Sequence, residues 1–206
     1  MPDLYSLPPK KARVCRIAGA IFLVFAAVTL VEPVVLSIWP APTFGCAEGC
    51  HWKSRPIAML DDDVQAEVKA APGGEAKLAI YIDRPVVRAG IFGVSLIDSL
   101  PFAALLMGVG IALRRLGSAR GNRLGQALPW LRRASLAAIL WAFAQPISQS
   151  LMASLLSPGT PEGEYWYFMV DFVDVGTGLM LAIAAYAAVW ALEGGLKAQR
   201  DLDEFV

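Results

Sequence analysis

Four stretches of the chain run almost without charge for about twenty residues or more: 17–39, 91–113, 134–156 and 166–192. A helix of about 20 mostly apolar residues crosses roughly 30 Å of hydrocarbon. The pattern predicts an all-α membrane protein with four transmembrane helices, and an even number of spans leaves both termini on one side. Pro33 is expected to bend the first helix or end its regular part. Polar segments occupy the intervals: 1–16, 40–90, 114–133, 157–165 and 193–206. In the longest, Val64, Ala66, Val68 and Ala70 alternate with Gln65, Glu67 and Lys69, which is the period of a strand. Residues 78–82 form a second β-prone run, and 71–76 between them have turn chemistry. This predicts a small extracytoplasmic β-hairpin between spans 1 and 2, packed on helix ends or on a partner because two strands alone are marginal in water. Leu124, Ala127, Leu128 and Leu131 recur at helical spacing and predict an interfacial amphipathic helix leading into the third span.

Composition agrees with this reading. The 206 residues are 56% hydrophobic and 17% charged, with a mean hydropathy of +0.53, whereas soluble domains have about 45–50% apolar and about 25% charged residues. The formal net charge of zero hides an asymmetry. Residues 114–133 carry six arginines and no acid. Lys10, Lys11, Arg13 and Arg16 lie before the first span, and Lys197 and Arg200 after the last. Twelve of the eighteen basic residues therefore fall on one side, while the two opposite segments combine the other six with nine acids. That bias places both termini and the basic loop in the cytoplasm. The first apolar run, about 23 residues, exceeds the 7–15 of a cleaved signal peptide, so it is expected to stay as a span.

Candidate chemistry is sparse. Glu32, Asp98, Asp171 and Asp174 lie within the spans, all in the outer half, and Gln145 and Gln149 sit at similar depth in the third. A charge at membrane depth costs several kcal/mol unless paired or wetted. These six residues are therefore a candidate polar vestibule for a cation or proton. The alternative for Asp171 and Asp174 is that they simply favour a helix N-terminus. Cys46 and Cys50 flank three residues and are candidates for a disulfide, with free thiols and a haem or metal role beside His51 as the alternatives. Arg120, Arg123, Arg132 and Arg133 are candidates for contact with anionic lipid or a cytoplasmic partner, or they serve topology alone. The loop is short and tethered and has no recognition fold, so direct nucleic-acid binding is not expected. There is one histidine and no nucleophile elbow, phosphate loop or zincin motif. The chain is read as non-enzymatic and without a cofactor.

Three stretches together resemble the DUF2975 family of uncharacterised bacterial four-span membrane proteins. They are LRRLGSARGNRLGQALPWLRRASLAAIL, the Gln145-Pro146 pair, and the end of the chain from Glu193 to Asp203-Glu204-Phe205-Val206. Gly194-Gly195 and the cysteine-bearing outer loop depart from the family pattern. The resemblance covers about residues 90–206. It implies four helices in a bacterial inner membrane and a membrane-tethered interaction or regulatory role beside a cytoplasmic regulator, and it supplies no catalytic residue. The competing expectation is a small transporter or an ion-responsive protein using the outer-half carboxylates.

Overall fold

The structure, a computed structural model, describes residues 9–46, 50–118, 123–166, 168 and 172–203. The described chain is mostly helical. In order it forms α1 (Pro9–Ile38), an antiparallel hairpin of β1 (Pro42–Gly45) and β2 (His51–Ser54), a 3₁₀ turn (Pro56–Met59), α2 (Asp62–Ala70), α3 (Gly74–Ile82), α4 (Pro85–Leu116), α5 (Arg123–Leu156), a second 3₁₀ turn (Ser157–Gly159) and α6 (Phe172–Asp203). Among the described residues three stretches are long and apolar enough to cross a membrane: Lys10–Ile38, Pro85–Leu116 and Gly125–Gly159. The apolar part of α6 is shorter, Gly178–Ala191. Pro33 does not end α1, which continues to Ile38. The segment expected to be a separate interfacial helix is the start of α5, and its Ala127 and Leu128 are buried.

The β-hairpin lies elsewhere than the sequence pattern placed it. The two runs read as strands are helices α2 and α3. The strands are instead β1 and β2, with Phe44 opposite Trp52 and their rings edge to face at 5.3 Å. The physical reason lies in the spacing. Val64 and Val68 are four apart, so they share a face in a strand and also in a helix. Ala66 and Ala70, which completed the alternation, are helix formers and stay exposed. Asp62 and Asp63 in the first turn and Lys69 in the last complement the helix dipole. Gly73 makes the turn between the helices at φ +67, a left-handed conformation that glycine adopts without penalty.

The chain forms two compact units. One comprises Met1–Thr29, Leu100–Phe143 and Phe172–Val206. Its buried apolar residues are mostly alanines: Ala26, Ala103, Ala112, Ala127, Ala134, Ala137, Ala142 and Ala182. Its large apolar side chains face outward, among them Val24, Phe25, Leu140, Met180 and Trp190. Small residues inside and large ones outside is the packing of helices in lipid, where close backbone approach replaces hydrophobic exclusion from water. The tightest approach is α1 on α4. A Cβ at Gly19 would lie 2.6 Å from the Gly110 carbonyl oxygen. Phe102 and Trp141 stack at 5.0 Å between α4 and α5.

The other unit comprises Leu30–Ser99 and Ala144–Asp171. Its core has conventional large side chains: Leu60, Val68, Leu78, Ile82, Val87, Ile91 and Leu156. The short helices α2 and α3 are thus fixed on the adjoining ends of α4 and α5. The Tyr81 hydroxyl donates to the Leu155 carbonyl at 3.1 Å. Tyr81→Phe should lower stability by about 0.5–1.5 kcal/mol, the net worth of one such bond, measured by thermal unfolding in detergent. Along the second half of α5, Ser148, Ser150 and Ser154 each donate a hydroxyl to a carbonyl three or four residues back, at 2.8–2.9 Å.

Candidate functional site

Four of the six vestibule candidates have described side chains, and all four belong to the second unit. Glu32 is exposed on α1, Asp98 half-buried on α4, Gln145 half-buried on α5 and Gln149 exposed on α5. Asp171 and the side chain of Asp174 lie outside the described residues. Of the four, Gln149 lines a cavity of about 260 Å³. The cavity's apolar wall is Met59, Leu60, Val64, Met152 and Ala153, and its polar groups are Asp61, Gln149, Ser157 and Thr160. Spacing along the chain did not point to Asp61, Ser157 or Thr160. They arrive because α2 is a helix and because the chain turns tightly after α5.

The cavity's hydrogen-bonding sense follows from its hydroxyls. Thr160 Oγ1 donates to the Ser157 carbonyl at 2.7 Å. Ser157 Oγ faces the carbonyls of Ser154 and Tyr165, each at 3.0 Å, and accepts from the Tyr165 N–H at 3.1 Å. Both hydroxyl protons are committed to backbone, so these residues offer a ligand only lone pairs. The Asp61 carboxylate caps no N–H of α2 and is exposed. Beside the Gln149 amide, which can donate as well as accept, the site presents acceptors above an apolar wall with two thioethers, which suits a donor-bearing or cationic amphiphile.

On the same unit, Glu67 of α2 meets Glu162. The Glu162 charge holds the Glu67 carboxyl above its ordinary value of 4.5, with smaller contributions from burial, a hydrogen bond that the protonated Glu67 carboxyl donates to Glu162, and the charge of Asp63. A carboxyl raised in the folded state stabilises the fold fully below its unfolded pKa, and that contribution is lost as pH rises through the folded pKa. The contact between α2 and the 160–164 turn should therefore protect better just above pH 4.5 than at pH 7. Glu67→Gln should flatten that dependence, as read by amide hydrogen exchange in α2 across this range.

Cys46 and Cys50 are joined by a disulfide that closes the loop between β1 and β2. Both are exposed. Among the described residues no group of three or more histidines, cysteines or acids is arranged to hold a metal. Of the arginine candidates, Arg132 and Arg133 are exposed on α5, and Arg133 lies over the Trp130 ring at 4.9 Å. Arg120 and the side chain of Arg123 lie outside the described residues. Arg115, at the end of α4, reaches the same ring at 5.5 Å. Comparison of the chain with family models, with curated proteins and with solved structures finds no match.

Proposed function

We propose that the chain is an integral protein of a bacterial inner membrane that acts as a non-enzymatic interaction or regulatory subunit for a cytoplasmic partner. In this reading α6 is the fourth span, the β-hairpin with α2 and α3 lies outside the membrane, and both termini with the arginine-rich segment lie in the cytoplasm. Membership of the DUF2975 family belongs to the same proposal. The observation that carries it is the basic surface of α5. Arg132 and Arg133 are exposed, and no acid occurs anywhere from Ser99 to Pro161 to neutralise them. A partner with an acidic face fits such a surface. Affinity capture from solubilised membranes tests it, comparing wild type with Arg132→Gln/Arg133→Gln. The proposal expects at least one acidic soluble protein to be lost, and an unchanged set of captured proteins sinks it.

A second reading is a small transporter or ion-responsive protein. The cavity beside Gln149 favours it, because its acceptors and apolar wall match a cationic amphiphile. Dodecyltrimethylammonium should raise the melting temperature of wild type more than that of Asp61→Asn. Equal shifts would remove this reading.

A further inference from the structure

We propose that the end of α4 holds the phosphodiester of an anionic phospholipid in a pocket of about 410 Å³ between α1, α4 and α5. The inference rests on the membrane reading alone and not on the cytoplasmic partner. The volume lies within the roughly 300–1,000 Å³ of ligand sites. The pocket has two chemically distinct ends. Leu23 and Ile111 form one side, one or more turns back from the helix end, and Arg114, Arg115, Ser118 and Gln126 form the other. An acyl–glycerol junction has the same polarity: apolar toward the hydrocarbon and anionic at the edge.

The charge balance of the pocket favours an anion. Two guanidinium groups lie in the last turn of α4. The helix C-terminus carries only about −0.5 of partial charge, so dipole complementation uses a fraction of the +2 present. The segments of α1, α4 and α5 in this unit contain no aspartate or glutamate. Arg16 adds a third cation nearby, since a Cβ at Gly117 would meet its Cγ at 2.8 Å.

The arginines are also held in place before any ligand arrives. Arg115 Nη1 donates to the Gln126 carbonyl at 3.4 Å while its guanidinium rests over Trp130. Arg114 packs its Cγ against the Gly19 backbone. A planar fork with several remaining N–H donors suits phosphate oxygens, and the Ser118 hydroxyl and Gln126 amide lie on the same rim to donate further bonds.

The full-length protein, purified in mild detergent, would be exchanged into nanodiscs of equimolar phosphatidylglycerol and phosphatidylcholine. Co-retained lipid would then be counted by native mass spectrometry. The expected result is at least tenfold preferential retention of phosphatidylglycerol. Arg114→Gln and Arg115→Gln should each reduce it roughly five- to tenfold, since a basic residue near an anionic leaflet is worth about 1 kcal/mol and a bidentate one more. Arg115→Lys should restore part of the loss, and Lys77→Gln, outside the pocket, none should change. Because Arg114 also packs on Gly19, each variant's melting temperature is measured alongside, and Leu23→Ser supplies an independent arm by weakening retention without touching a charge. Equal retention of the two lipids overturns the proposal. So does displacement of phosphatidylglycerol by millimolar inorganic phosphate, which would identify a site for the free anion.

Discussion

Gly19→Leu should cost the first unit about 1–3 kcal/mol or more, seen as a clear fall in melting temperature in detergent. The new Cβ would stand 2.6 Å from the Gly110 carbonyl oxygen, 2.7 Å from Arg114 Cγ and 3.0 Å from the Arg114 nitrogen. Two of those atoms are backbone, so no rotamer change relieves the overlap and the helices must part. Parting them also loosens the reciprocal contact, where a Cβ at Gly110 would stand 3.0 Å from the Gly19 oxygen and from Leu23 Cγ. In lipid, nothing like hydrophobic exclusion from water pushes the helices back together. Gly19→Ala should give a smaller fall of the same sign. Gly93→Ala, where a Cβ meets nothing within 4 Å, should be neutral or gain up to about 1 kcal/mol of helix propensity. A Gly19→Leu protein as stable as wild type would mean that α1 and α4 do not touch here.

Leu78→Ala should destabilise the second unit by about 2–5 kcal/mol, the usual cost of a cavity left by a buried leucine. Leu78 is fully buried at the centre of the cluster that fixes α3. Ile80 on the same helix is 68% exposed, and Ile80→Ala should change stability by less than about 0.5 kcal/mol. The pair tests more than packing. In a strand, residues 78, 80 and 82 would share one face and both substitutions would hurt. In the helix, 78 and 82 point inward and 80 outward. Comparable losses at 78 and 80 would restore the strand.

The long helices were legible because an uninterrupted apolar run of bilayer length has few other uses. The basic stretch was legible because arginine without acid is a compositional fact that survives any fold. Residues 62–82 were misread because nine-residue segments satisfy two periods at once. The small alanines that completed the alternation carry little burial preference, and the aspartates before Val64 were the better signal. The candidate site was legible in depth and not in direction. Counting along a helix tells how far Glu32, Asp98, Gln145 and Gln149 lie from its ends. Which way each points depends on how the helices pack, and only Gln149 meets the cavity with Asp61, Ser157 and Thr160. Ser157 follows Gln149 by eight residues, a helical spacing, but Asp61 and Thr160 come from segments with no such relation to it, so no pattern could have joined all four.

The serines of α5 bear on how that helix meets its solvent. Of the three stretches long enough to span, this one has the lowest mean hydropathy, and serine is one reason. Hydropathy scales treat every serine as a dangling O–H. On this helix Ser148, Ser150 and Ser154 turn theirs back onto the rod they belong to. Ser148 and Ser150 are buried besides, so neither hydroxyl faces outward, and α5 presents a more apolar outer face than its letters suggest.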